Sequence, residues 1–244
     1  MQNSRIMGRL KNIGSTFSRY QTSKGFGVHS PFAFSFILNV LDEKYGYYSY
    51  DSLQLLRTTV TSRTRYEQGY KPRVIPLSEA AAMFRVANYY NPSVFLSIGG
   101  SYGVAVASLL MVSRRSRVVL YDTAIKENVT AQEILANYGS RISDTATLQG
   151  AIDSYDSLAG EENRFVVINN IADSDVDVAN RLVDNLVKQQ GVLVLRNIGT
   201  SRVAAALWKR CKEGMKYGMT FSNGKMAFVI LNPKLPRQDF SIWL

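Results

Sequence analysis

The spacing of apolar positions changes partway along the chain. Over the first third it is helical: Ile6, Leu10, Ile13 and Phe17 recur every three or four residues, which places them on one face of a helix. A glycine-containing hinge, Lys24-Gly25-Phe26-Gly27, leads into Val28-His29-Ser30-Pro31-Phe32 and a run of apolar residues to Leu38. A serine hydroxyl accepts an orphan helix N–H and a proline at the first helical position has its φ already set, so Ser30-Pro31 predicts a helix over about 31–41. Residues 45–50 read as an aromatic turn region and 51–73 as a further basic helix or loop ending at Pro72. Ser78-Glu79 opens a helix to about Tyr89, stopped by Asn91-Pro92.

From Val94 onward short apolar runs alternate with helical stretches, the mark of βαβ units. Five parallel strands are expected at Val94–Ile98, Arg117–Tyr121, 145–148, 165–168 and 192–195, with crossover helices over 104–112, 128–138 and 176–189. A helix over 201–214 then precedes two apolar runs, 219–221 and Met226–Leu231, around Asn223-Gly224. Asn-Gly between such runs predicts a hairpin with a type I′ turn, which needs positive φ at both central residues. The fold class is therefore α/β: a doubly wound sheet, mostly parallel with a C-terminal antiparallel hairpin, plus an N-terminal helical extension. Two domains are expected, a basic helical extension or lid over 1–73 and the sheet domain over 74–244.

Charge sharpens that division. Residues 1–73 carry eleven Lys or Arg against four Asp or Glu, whereas 74–244 carry eighteen against fifteen. The basic amphipathic start, residues 1–24, suits first of all the protein's own body with its cations solvated, and otherwise an anionic lipid surface, a nucleic-acid backbone or an acidic partner. Its acid-free, Arg- and Ser-rich beginning is also similar to an organelle transit peptide, while it lacks the apolar stretch of a secretory signal. One cysteine, Cys211, and one histidine, His29, exclude an intramolecular disulfide and the usual Cys/His zinc site. No run approaches the roughly 18 apolar residues of a membrane-spanning helix. A cytoplasmic location is the expectation.

Candidate chemistry lies at the strand ends. Ser97-Ile98-Gly99-Gly100-Ser101-Tyr102-Gly103 closes the first strand; its glycines allow tight turning and close approach to a ligand, and the following helix N-terminus suits a carboxylate or phosphate. Asp122 ends the second strand, where a carboxylate accepts both hydroxyls of a ribose. Gly99-Gly100-Ser101-Tyr102-Gly103 also fits the Gly-x-Ser-x-Gly elbow of α/β-hydrolases, but such an enzyme needs a histidine after its serine and the one histidine precedes it.

These motifs resemble those of class I S-adenosylmethionine-dependent methyltransferases. The 27–32 segment, the 99–103 loop and the ending Asp239-Phe240-Ser241-Ile242 extend the likeness to a group of small bacterial methyltransferase-like proteins with a His-Ser-Pro-Phe helix before a Rossmann-like sheet. The resemblance implies S-adenosylmethionine as cofactor, with Ser97, Gly99, Gly100, Ser101 and Gly103 at its methionine end, Asp122 on the ribose and loop residues from Gln149 to Ile152 beside adenine. The chain departs from the family in several acids: Ser97 stands where an acid contacts the cofactor's amino group, and Asn169-Asn170 and Arg196-Asn197 where metal-dependent members have carboxylates. Hard divalent cations favour anionic oxygen ligands, so metal-independent transfer to an unidentified small-molecule or protein acceptor is expected. His29, Asn169 and Arg196 are the catalytic candidates, each with a structural alternative, and Tyr45, Tyr47, Tyr48 and Tyr50 form either an acceptor pocket or packing. The other function class is a catalytically inactive binding or assembly module that uses its basic N-terminal segment.

Overall fold

Serine and proline start the helix that follows the glycine hinge as their chemistry dictates. In α1 (Pro31–Phe36) the Ser30 hydroxyl accepts the Ala33 N–H at 3.3 Å and Pro31 occupies the first turn. The chain then widens into a π-helical stretch, Ile37–Leu41, rather than continuing as α-helix. Arg85 satisfies the end of that stretch, donating to the Val40 and Leu41 carbonyls at 2.7 and 2.6 Å. Helix α2 (Tyr48–Gln68) starts inside the expected tyrosine turn and ends at Gly69, whose left-handed φ of 75° favours glycine. Helix α3 spans Leu77–Tyr90. The computed structural model describes residues 19–125, 128–160 and 163–243; the amphipathic helix expected over Ile6 to Phe17 lies outside them.

The remaining elements alternate as expected: β1 (Val94–Ile98), α4 (Val104–Leu110), β2 (Arg117–Tyr121), α5 (Val129–Ala136), β3 (Ile142–Asp144), α6 (Leu148–Leu158), β4 (Arg164–Ile168), α7 (Val176–Leu186), β5 (Gly191–Arg196), α8 (Arg202–Gly214), β6 (Met219–Ser222), β7 (Met226–Leu231) and β8 (Gln238–Ser241). One sheet holds them in the order β3-β2-β1-β4-β5-β7-β6-β8. The first five strands are parallel, and β7 runs antiparallel to both β5 and β6.

Three expectations are corrected. The third strand is 142–144, not 145–148; Leu148 instead opens α6, whose N-terminus is capped by Thr147 accepting the Gly150 N–H, so residues 149–152 are helical rather than loop. The hairpin turn is not type I′. Of its three linking residues only Gly224 has positive φ, and the Asn223 side-chain carbonyl accepts the Lys225 and Met226 N–H groups at 2.9 and 2.8 Å. Beyond the hairpin an eighth strand, β8, pairs parallel to β6.

Strand side chains alternate between two apolar layers, since successive residues point to opposite faces. Phe95, Val118, Leu120, Phe165 and Val194 pack with the π-helical stretch and α2 to α5. Leu96, Val119, Val166, Ile168 and Leu195 pack with α6 to α8. The chain before the sheet joins the first layer, Phe36 lying 4.9 Å between ring centroids from Phe221. Among the described residues no helix is long and apolar enough to cross a membrane.

Candidate functional site

Strand order reverses between β1 and β4, and in open α/β sheets the crevice beyond the carboxyl ends at such a switch point is where ligands bind. Two loops flank it. The first, 99–103, is held in an unusual conformation: Gly99 has φ 78°, and Ser101, Tyr102 and Gly103 follow at 48°, 58° and 83°. A left-handed residue with a Cβ costs about 1–2 kcal/mol. The loop is tied down at Ser101, whose hydroxyl accepts the Ile75 N–H at 2.8 Å. Gly99 is demanded by the protein's own packing, since a Cβ there would lie 2.9 Å from the Asn170 backbone nitrogen, whereas one on Gly100 would meet the movable Cδ1 end of the Ile125 side chain at 2.5 Å. The first donors of α4 are also engaged within the loop, Val104 N–H with the Ser101 carbonyl at 3.3 Å and Ala105 N–H with that of Gly100 at 3.2 Å.

Asp122 closes the neighbouring edge. Its Oδ2 accepts the Gly100 N–H at 2.5 Å, and its Oδ1 accepts those of Ala124 and Ile125 at 2.8 and 3.3 Å. A carboxylate offers about four lone-pair positions, so these three bonds leave one for an incoming hydroxyl. The carboxylate is thereby fixed in place before any ligand arrives.

Beneath the loop lies a buried polar network. Asn169, at the end of β4, donates from Nδ2 to the Gly99 carbonyl at 2.5 Å, and the Ser97 hydroxyl donates to the same carbonyl at 3.2 Å. Arg196, at the end of β5, donates to Asn169 Oδ1 at 3.3 Å and to Glu79 Oε2 at 2.8 and 2.7 Å through Nε and Nη2. Asn197, at φ 61°, donates to the Asn169 carbonyl at 2.8 Å. Glu79 sits in the first turn of α3, so a helix preceding the sheet supplies the counter-charge. Sequence reasoning missed it because Glu79 and Arg196 are 117 residues apart. The only local signal was an acid in a helix's first turn, which dipole complementarity already accounts for. Between the ends of β4 and β5 the free space is about 10 Å³, the room of a single water.

The other candidates fall elsewhere. His29 is exposed beside Ser30, whose hydroxyl lies 4.0 Å from Met219 Sδ. Met219 is opposite Ile230, which pairs with Val192, four residues before Arg196; at about 3.3 Å per residue that is roughly 13 Å down the sheet and two strands across. Gln149, in the first turn of α6, donates to Asp153 at 2.8 Å and lines the groove between α6 and α7. Tyr47 and Tyr50 pack on Phe84, while Tyr45 and Tyr48 are exposed. Burial and a hydrogen bond to Glu43 push the Tyr47 hydroxyl up to about 12. Tyr121 donates to Asp175 at 2.7 Å, which raises its pKa to about 12. Among the described residues no group of three or more His, Cys, Asp or Glu is placed to hold a metal ion.

No protein-family model and no curated protein matches the chain in sequence. Solved structures share its fold. The O-methyltransferase of Bacillus cereus in complex with SAH has a TM-score of 0.53 at 13% identity, covering 79% of this chain and 96% of its own. TomG of Streptomyces achromogenes, an O-methyltransferase of tomaymycin synthesis in complex with SAM, has 0.51 at 12%, covering 80% and 94%. The SAH-bound methyltransferase PaMTH1 of Podospora anserina has 0.50 at 12%, covering 85% and 98%. The chain has the fold of these methyltransferases.

Proposed function

We propose that the chain binds S-adenosylmethionine at the ends of β1 and β2 and transfers its methyl group to an acceptor without a carboxylate-held metal. The observation that carries this reading is the 99–103 loop, where Ser101 and Tyr102 hold positive φ at the switch point; backbone strain of this kind clusters at ligand sites. Fold neighbours in complex with SAM or SAH support it. Asp122 meets one ribose hydroxyl through its remaining lone pair, and the 99–103 backbone borders the methionine portion. When bound, the cofactor supplies an electrophilic methyl, which leaves the protein the task of aligning a nucleophile. Asn169 and Arg196 are positioning residues, since both hold their neighbours in the buried network rather than reaching an open cavity.

A second reading, a binding module that keeps the fold without catalysis, is favoured by the internal packing reason for Gly99. Calorimetric titration with S-adenosylmethionine, S-adenosylhomocysteine and NAD separates the two. Micromolar binding of the first two and none of NAD is expected. Absence of binding to all three overturns the cofactor assignment and leaves the module, whose contact would be lost on deleting residues 1–18; that deletion retains the bonds from Arg19 to Asn223 and Ser241 and from Trp243 to Ser23.

A further inference from the structure

Residues 57–73 carry five Lys or Arg and one acid, Glu67. Arg57, Thr58, Thr61 and Ser62 of α2 face Lys71 and Arg73 of the following connection across an open depression of about 640 Å³. That volume lies within the range of small-molecule sites. Its lining has three cations and three hydroxyls and no carboxylate, so the potential inside it is positive; the Thr58 hydroxyl already donates to the Gln54 carbonyl at 2.9 Å, which leaves the hydroxyls of Thr61 and Ser62 as donors beside the cations. The cations differ in readiness. Arg63, next along the helix, is paired with Glu67 and Glu133. Lys71 and Arg73 are exposed and enter no ion pair among the described residues. Arg57 is braced, with Nε donating to the Ile75 carbonyl at 2.6 Å and Nη1 to Gln54 at 2.9 Å, so one guanidinium is held at the wall before a ligand arrives.

We propose that this depression binds the phosphate groups of a small molecule bearing two or more of them. Arginine matches phosphate oxygens in a fork and lysine adds a point charge, while the hydroxyls serve oxygens the cations leave unmet. A nucleic-acid strand fits less well, because no aromatic ring lines the depression to stack a base. The site lies beside the glycine loop: Ile75, whose carbonyl Arg57 holds, donates its N–H to Ser101. The assignment is independent of the methyl-transfer reading and stands or falls without S-adenosylmethionine.

The test is calorimetric titration of the full chain with sodium tripolyphosphate and with ATP at an ionic strength of about 0.15 M. Saturable binding of one equivalent is expected. The double variant Lys71→Gln/Arg73→Gln should weaken it about tenfold or more, as loss of charge-assisted bonds does, with the melting temperature in the absence of ligand unchanged because neither side chain has a partner among the described residues. Vesicles of phosphatidylcholine with a phosphoinositide separate the sources: binding that tripolyphosphate competes away and the variant lacks supports the site with a lipid headgroup as its ligand. The proposal is overturned if neither tripolyphosphate nor ATP binds saturably, if the variant binds them as tightly as the parent, or if only vesicles or single-stranded RNA bind.

Discussion

At the scale of single residues the defining feature is Arg196 buried against Glu79 and Asn169. An ion pair out of water is retained only when its partners satisfy one another, and removing one partner strands the other's charge. Arg196→Leu is therefore expected to lower the unfolding free energy by about 3–5 kcal/mol, and Glu79→Leu/Arg196→Leu to recover most of it. Urea unfolding of the three proteins at neutral pH reads both values, and a double variant no better than the single would contradict the pairing. Cys211 gives a second residue-scale expectation. Burial in the α8 layer pushes its thiol up to about 12, so at pH 8 it stays protonated and enclosed. Ellman's reagent should titrate no thiol in the native protein and one per chain in concentrated guanidinium; rapid native reaction would mean that the α8 layer opens. Ser97, Asn169 and Arg196 stood out in the sequence by type and place, but Glu79 did not, because pairing across the sheet leaves no local pattern.

At the scale of elements, the segment before α1 is clasped to the end of the π-helical stretch by Asp42, which accepts from Lys24 and Lys44 at 2.6 Å each. Burial pushes the Asp42 carboxyl up, and the hydrogen bonds from Lys24 and Lys44 outweigh it, leaving the group below its ordinary value. A depressed folded pKa adds stability that is complete above the unfolded value, about 3.9, and is lost as pH falls through the folded one. The clasp should thus loosen only below about pH 4. Trp243 reports it, since its backbone N–H donates to the Ser23 hydroxyl, next to Lys24, at 2.5 Å; in a Trp208→Phe background its fluorescence should shift below that pH, and Asp42→Asn should show the shifted signal throughout. An identical acid transition in Asp42→Asn would assign the change elsewhere. Elements of strong period were legible to within a few residues: β1 and β2 match their expected bounds, and the capped starts at Ser30, Asn128 and Ser201 are where side-chain acceptors stand. β3 was not. It is an edge strand of three residues, Ile142-Ser143-Asp144, with one apolar side chain, whereas Thr145 to Leu148 offered more β-like composition and in fact caps and opens α6.

At the scale of the whole molecule, β8 decides how the sheet ends. Gln238-Asp239-Phe240-Ser241 has one apolar residue in four, so although Asn232-Pro233 marks a turn ahead of it, nothing in the segment itself distinguishes it from a tail; its strand character comes from the partner it finds. Pairing parallel to β6 covers that strand's open edge. Phe240 stacks on Phe221 at 5.2 Å between ring centroids, Thr220 bonds Asp239 at 2.5 Å, and Ile242 is buried beyond the strand. Exposed edges recruit other chains, and burying an aliphatic or aromatic side chain is worth about 1.5–3 kcal/mol. Deleting residues 237–244 should remove the stabilisation of the buried Ile242 and the half-buried Phe240, together about 2–4 kcal/mol, and lower the melting temperature by about 10 °C at this chain length. It should also leave β6 as an unpaired edge beside the exposed face of Phe221. The same deletion should therefore move the protein toward dimers or larger species in size-exclusion chromatography, while Asp239→Lys in the full chain, which keeps the strand, should not. A truncated protein that stays at the parent's size and melting temperature would show that β6 closes the sheet without β8.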